Sequence, residues 1–83
     1  MKIAAGAEWQ KSDDNIVQIQ IVPGHSINLN AVGSLIWIAI SQGKQESEIA
    51  DLLVAEFDVP PDTARADVTA FLETLEENLL LER

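Results

Sequence analysis

Residues that could carry catalytic or metal chemistry are few and scattered in this 83-residue sequence. There is one histidine, His25, and no cysteine, and no Asp or Glu lies near His25 at the spacing of a metal-binding motif. Ser26, Ser34 and Ser41 could act as nucleophiles only beside a general base, which the neighbouring sequence does not supply. We therefore interpret His25 as a polar residue at the end of a turn.

Other patterns that can indicate an enzyme have simpler explanations here. Asp13 and Asp14 lie in a polar turn, and Glu76 and Glu77 lie at a solvated helix end, so neither pair is placed like a catalytic acid and base. The four glycines are scattered and form no phosphate-binding loop. The sequence therefore predicts a protein without catalytic residues, bound metal or cofactor.

The size and composition predict one small domain spanning residues 1–83. With 47% apolar residues, the chain can build a single small core but no deep substrate cavity. The absence of cysteine fits a reducing compartment, and neither a secretory signal nor a membrane-spanning stretch is recognisable. We expect a cytoplasmic protein that acts as a monomer and does not associate with membranes.

The net charge of −9 is unevenly distributed along the chain. Residues 1–43 contain two lysines and three acids, whereas residues 44–83 contain three basic residues and eleven acids. Because nucleic-acid binding depends mainly on contacts of Lys and Arg with phosphates, this balance argues against a DNA or RNA partner. We interpret the acids chiefly as a solvated face of the helical half.

Alternating apolar and polar residues predict a β-hairpin in the first half of the chain. Apolar residues alternate with glutamine over residues 15–22 and with Ser or Asn over residues 25–29, so each run has one face toward the core. Pro23 and Gly24 separate the two strands, but they leave the turn type and the register of the hairpin open. Residues 7–12 predict a third strand.

The first predicted helix spans residues 31–42 and is apolar on nearly every side. Asn30 is its expected N-cap, because the side chain can accept a bond from an amide of the first turn, and Gly43 is its expected end. We expect Trp37 to pack in the core rather than in a ligand site.

Two amphipathic helices are predicted to follow. Acids at Glu46 and Glu48 favour the start of the second helix, where the helix dipole attracts anions. The third runs over residues 62–77 after Pro61, and Asn78 is expected to take the left-handed conformation that ends it. The expected core positions are Ile49, Leu52, Leu53 and Phe57 in the second helix, and Ala64, Val68, Phe71, Leu72, Leu75 and Leu79 in the third.

The order of these elements predicts an α+β domain of the winged-helix type, with a three-stranded antiparallel sheet followed by three helices. The strand over residues 25–29 runs directly into the buried first helix and is therefore held rigidly. If no strand pairs with its outer side, it presents a free sheet edge. Such an edge can bind an extended peptide by strand addition.

A set of spaced residues runs through nearly the whole chain. It contains Ile-x-Leu-Asn at residues 27–30, Leu-Ile-Trp at residues 35–37 and Gly43. It continues through Glu48, Ile49, Ala50, Phe57, Asp67, Val68, Phe71, Leu72, Leu75, Leu79 and Leu80. This ordered set resembles the PqqD family, the pyrroloquinoline quinone biosynthesis protein D-like domains, over about residues 8–81. Family members commonly carry Tyr or Phe at the position of Ile27, Thr near Gln45 and Gly near Asn78.

The resemblance implies a RiPP recognition element, a small domain that captures the leader of a ribosomally made precursor peptide. Such a domain presents the leader to modifying enzymes or to a leader peptidase. In that family the leader adds as a strand beside the third strand and lies against the third helix. Asp67 would then be either a polar anchor for the peptide or a solvated charge. The implied peptide-binding residues are Ser26, Ile27, Asn28 and Leu29 on the strand, and Asp67, Ala70, Phe71 and Thr74 on the helix.

The resemblance extends to the separate recognition proteins of lasso-peptide pathways as well as to the quinone-cofactor pathway, and two other classes stay open. An acyl or peptidyl carrier protein shares the length and acidity but needs an Asp-Ser-Leu turn, where this chain has Gly33-Ser34-Leu35 inside an apolar helix. A winged-helix DNA-binding protein needs a basic recognition helix, whereas residues 62–77 contain one Arg and five acids.

Overall fold

A computed structural model describes residues 1–22 and 24–82, without the side chains of Ile21 and Val22. Strands β2, β3 and β4 form a three-stranded antiparallel sheet with β3 in the centre, and three helices follow them. The predicted α+β order is therefore confirmed. The elements are β1 (Lys2–Ile3), β2 (Glu8–Lys11), β3 (Val17–Val22), β4 (His25–Asn28), α1 (Ala31–Ser41), α2 (Glu46–Phe57), α3 (Pro61–Glu77) and β5 (Leu81–Glu82).

Strands β1 and β5 form a second, two-stranded antiparallel sheet that the sequence did not predict. Lys2 pairs with Glu82 and Ile3 with Leu81. Two residues per strand are too few for an alternating pattern to be recognised, and the pairing becomes possible only after α3 brings the chain back. This small sheet ties the first residues of the chain to the segment that follows α3.

Helix α1 lies at the centre of the core, as its apolar surface predicts. Asn30 Oδ1 accepts the backbone N–H of Gly33 at 2.7 Å, which confirms Asn30 as the N-cap. The helix stops at Gly43, which adopts a φ of +81°. Trp37 is fully buried, and its ring meets that of Trp9 edge-on with centroids 6.0 Å apart, so it belongs to the core as predicted.

Helices α2 and α3 pack against each other, and α2 also packs against α1. Glu48 accepts the backbone N–H of Gln45 at 2.9 Å at the start of α2, and Pro61 occupies the first position of α3. The buried residues that these helices contribute are Ile49, Ala50, Leu53, Ala64, Val68, Leu72 and Leu75.

Three expected core positions are exposed in the structure. Ile27 is 44% exposed because it lies on the outermost strand of the sheet, and Phe57 is 36% exposed because α2 ends there. Leu79 is 82% exposed. The prediction that Asn78 adopts the left-handed conformation is wrong, because Asn78 has a φ of −94° and Leu79 has the positive φ, +58°. The chain reverses at Leu79, and this reversal directs Leu80 rather than Leu79 into the core.

The end of α3 is a hydrogen-bonded Schellman motif. The N–H of Leu79 donates to the carbonyl of Glu76 at 3.0 Å, and that of Leu80 to the carbonyl of Leu75 at 2.9 Å. Helix α1 ends in the same way at Gly43. The same backbone turn is thus made once by glycine and once by leucine. Pro23, which the sequence places in the hairpin turn, lies outside the described residues.

Candidate functional site

Strand β4 is an outer strand of the three-stranded sheet. It pairs with β3 on one side, and no other strand of the described residues pairs with its second side. Its second side therefore presents backbone N–H and C=O groups that a further strand could bond. The chain continues from β4 through Leu29 and Asn30 into α1, so the open edge is attached directly to the most buried helix.

The register of the hairpin, which the sequence leaves open, determines which backbone groups point outward. Leu29 donates its N–H to the carbonyl of Val17 at 2.8 Å, and Ile27 lies opposite Ile19. Since alternate residues of an antiparallel strand bond to the same neighbour, Ile27 and Leu29 direct their backbone groups toward β3. Ser26 and Asn28 direct theirs to the open edge.

The two faces of the sheet differ in chemistry. On the outer face, Gln10 Nε2 donates to Gln18 Oε1 at 2.9 Å, and Gln18 Nε2 donates to Ser26 Oγ at 3.0 Å. On the inner face, Ile27 lies beside the fully buried Ile19. Ile27 is therefore an apolar side chain at the open edge that still has exposed surface for a partner to cover.

Ser34, in α1, forms hydrogen bonds with the sheet at the point where the chain passes from β4 into α1. Its hydroxyl is 1% exposed, accepts the N–H of Val17 at 2.9 Å and donates to the carbonyl of Leu29 at 3.3 Å. A carrier protein needs an accessible serine for its prosthetic group, so the burial of Ser34 contradicts the carrier alternative. The residue holds the end of β4 against α1 instead.

A groove of about 420 Å³ lies between the first turns of α1 and the face of α3. All four helix residues implied by the resemblance lie along it, whereas Ser26 to Leu29 are not among its lining residues. The groove begins at Asn30, two residues after β4 ends, so groove and edge adjoin in the chain. The lining residues are Asn30, Val32, Gly33, Ile36, Asp67, Ala70, Phe71 and Thr74.

Sequence reasoning missed the α1 wall of this groove. The sequence predicts an apolar helix that contains Val32 and Ile36, with Asn30 as its cap, but no role for these residues in a binding site. The one signal that could have indicated them is Gly33, a glycine inside a helix where no turn needs it.

The groove lining contains apolar residues, including the fully buried Ile36, and three polar side chains. Asn30 Oδ1 is occupied by the amide of Gly33, and the Thr74 hydroxyl donates to the carbonyl of Ala70 at 3.1 Å. Within the described residues, the Asp67 carboxylate has no hydrogen bond or ion pair. Asp67 is therefore the acceptor in the groove that is open to a ligand.

Other depressions of similar size lie elsewhere on the described residues. One of about 500 Å³ lies on the outer face of the sheet, where Gln10 and Gln18 are bonded to each other. Another, of about 430 Å³, lies between α1 and α2 and is lined partly by Leu35, Ile38 and Phe57. Neither of these two contains the α3 residues that the resemblance implies.

Neither a metal-binding cluster nor a membrane-spanning helix is found among the described residues. Among residues 1–22 and 24–82, no group of three His, Cys, Asp or Glu side chains is arranged to hold a metal ion. His25 is exposed at the start of β4. No helix in this part of the chain has the length and apolar character needed to cross a membrane.

Comparison with known families gives a match along most of the chain. The family model of "Coenzyme PQQ synthesis protein D (PqqD)" matches residues 12–81. The chain belongs to the PqqD family. This confirms the resemblance read from the sequence, and it includes both β4 and the groove face of α3. A comparison of the PqqD-family chain with curated protein sequences finds no significant match.

A solved structure resembles the PqqD-family chain over nearly its whole length. It is described as "TbiB1 in Complex with the TbiA(beta) Leader Peptide". The two chains share 35% sequence identity with a TM-score of 0.87, and the alignment covers 99% of this chain and 95% of that one. The similarity therefore extends to both the sheet and the helices that form the edge and the groove.

Proposed function

We propose that this PqqD-family chain is a RiPP recognition element that captures the leader of a ribosomally made precursor peptide by strand addition. The observation that carries the proposal is the open β4 edge beside a groove that contains Asp67, Ala70, Phe71 and Thr74. The similarity to TbiB1, whose structure contains a leader peptide, supports the same assignment.

The geometry indicates how such a leader would bind. Its backbone bonds to the N–H and C=O groups of Ser26 and Asn28, extending the sheet by one strand. Alternate side chains of the added strand share the inner face with Ile27, cover its exposed surface and point toward the groove. A hydrogen-bond donor or a basic group of the peptide reaches Asp67. Main-chain bonds thus supply attraction, and the groove supplies selectivity.

In this proposal the protein itself is not an enzyme and needs no cofactor. It acts as a cytoplasmic monomer that holds the leader while a modifying enzyme or a leader peptidase acts on the rest of the precursor. The pathway is either lasso-peptide or quinone-cofactor biosynthesis. Neighbouring genes for a short precursor and its processing enzymes, where present, would distinguish the two pathways.

The proposal is tested by NMR titration of the ¹⁵N-labelled protein with the leader of any short precursor whose gene lies beside its own. The TbiA(beta) leader serves as a comparison and a scrambled leader as the control. We expect the amides of Ser26 and Asn28 to become protected from hydrogen exchange, while that of Ile27, already bonded to β3, changes little. Binding that maps to the α1/α2 depression, or no binding of either leader, would contradict the proposal.

A further inference from the structure

Gly33 is a glycine that the backbone of α1 does not need. It lies inside the helix and has no positive φ, unlike Gly24 and Gly43, whose φ values are +83° and +81°. Alanine is the better residue at an interior helical position, because glycine loses more conformational freedom on folding. The reason for a glycine at this position must therefore be the space around it.

That space is occupied by the ring of Phe71. A Cβ atom on Gly33 would lie 3.1 Å from Phe71 Cε1 and 3.3 Å from Phe71 Cζ, and 3.2 Å from Asn30 Oδ1. Contacts this short require a neighbour to move. By contrast, a Cβ at Gly6 would have no heavy atom within 4 Å. Among the described glycines, Gly33 alone is closely covered by a side chain.

Both Gly33 and Phe71 line the groove between α1 and α3, so their contact determines its shape. The missing side chain lets the Phe71 ring lie against the backbone of α1. Phe71 is half-buried and lines the groove beside the fully buried Ile36, so a displaced ring has free space on the groove side. A methyl group at position 33 would therefore narrow the groove from inside.

We infer that Gly33 sets the depth of the α1/α3 groove and thereby the size of the apolar peptide side chain that it admits. The inference rests on the proposed function, because the side chain is one that a captured leader inserts. It identifies the preferred ligand as a peptide with a bulky apolar residue at the groove position. Gly33 acts through the ring of Phe71 and is thus a specificity-determining residue.

The first test is the affinity of the full chain for leader peptides, measured by calorimetry. Gly33→Ala should weaken binding of the leader that binds in the NMR titration by about tenfold or more, because overpacking removes space that the leader fills. Gly6→Ala makes the same chemical change in open space and should bind within about twofold of the natural protein. A leader whose side chain in the groove is shortened to alanine should bind the natural protein and Gly33→Ala with similar affinities.

The second test distinguishes the contact of position 33 with the Phe71 ring from its contact with the N-cap residue Asn30. Leucine lacks the Cε1 and Cζ atoms that oppose a Cβ at position 33, so Phe71→Leu removes the conflict with the ring but leaves that with Asn30. In the Phe71→Leu background, adding Gly33→Ala should change affinity by about twofold or less. If the two substitutions instead weaken binding independently, the inferred mechanism is wrong.

The third test needs no ligand. The chain contains two phenylalanines, so labelling with fluorophenylalanine produces two ¹⁹F resonances, one from Phe57 and one from Phe71. Gly33→Ala should move the Phe71 resonance and leave that of Phe57, which lies at the end of α2, in place. If the Phe71 resonance does not move, the inference about Gly33 is wrong, whether or not a leader binds. If the natural protein binds no leader, the proposed function is wrong, but the Phe71 resonance still tests the contact between Gly33 and Phe71.

Discussion

Ser34 Oγ accepts the backbone N–H of Val17 at 2.9 Å, so a side chain from α1 takes the place of a backbone acceptor at the end of the β3–β4 ladder. The same hydroxyl donates to the carbonyl of Leu29, the residue that Val17 faces across the hairpin. One buried hydroxyl therefore joins the central strand, the edge strand and the central helix. The proposed peptide-binding edge is held in place from within the core.

Ser34→Ala should destabilise the fold, because it leaves the buried N–H of Val17 and the partly buried carbonyl of Leu29 without their partner. The expected loss is about 1–3 kcal/mol in the free energy of unfolding, measured by urea denaturation. Ser41→Ala is the matched control, since Ser41 is exposed and its hydroxyl bonds only within its own helix. Equal stabilities for the two variants would show that the Ser34 bridge contributes nothing to folding.

Proline substitutions along residues 26–29 should affect stability at two positions and leader binding at the other two. Proline at Ile27 or Leu29 removes an N–H that bonds to β3 and should reduce the free energy of unfolding by about 1–3 kcal/mol. Proline at Ser26 or Asn28 removes an outward N–H and should leave a folded domain with weaker leader binding. Thermal melting and calorimetry distinguish the two pairs.

Alanine at Ile27 and Leu29 is the control for that scan, because proline also removes those side chains. The alanine variants should remain more stable than the corresponding proline variants. Four prolines that all unfold the protein, or four that all leave leader binding intact, would rule out strand addition at β4.

Asp67→Ala should weaken leader binding while changing the free energy of unfolding by no more than about 0.5 kcal/mol, because the carboxylate is exposed and has no partner in the described residues. Glu73→Ala is the matched control, since Glu73 is an exposed acid of α3 that does not line the groove. If both variants bind the leader as well as the natural protein, Asp67 belongs to the solvated face.

Leu79→Gly should stabilise the protein. Leu79 has a left-handed backbone conformation, which costs a non-glycine residue about 1–2 kcal/mol, and its exposed side chain contributes no burial in return. The melting temperature should rise by about 4–8 °C per kcal/mol gained. Leu79→Ala is the control, because it removes the exposed side chain but keeps the Cβ atom, and it should produce no such rise.

Duplex DNA should not bind at physiological salt. Helix α3 contains one arginine, which pairs with Asp62, and five acids, so it has no surface that could neutralise phosphates. Fluorescence polarisation with a labelled duplex measures this directly, with the leader peptide as the positive control. Measurable duplex binding would contradict this prediction and support the winged-helix DNA-binding alternative.

The sequence by itself determined the three-stranded sheet and the three helices, but not β1 and β5, because the signals for those longer elements are local. The period-two alternation around Ile19 specifies a strand, and the Asn30 cap with Gly43 bounds the first helix to within one residue. These signals come from residues that are near one another in the chain. Through the resemblance to the PqqD family, the sequence also predicts that the face of α3 with Asp67 and Phe71 binds the peptide.

Only the tertiary structure decided the features that depend on distant neighbours. The register that turns Ser26 and Asn28 outward depends on how two strands align, and Pro23 and Gly24 permit more than one alignment. The exposure of Ile27 at the sheet edge follows from which strand lies outermost. The contact between Gly33 and Phe71 joins residues on different helices, so no local pattern could reveal that a missing side chain on one shapes the groove beside the other.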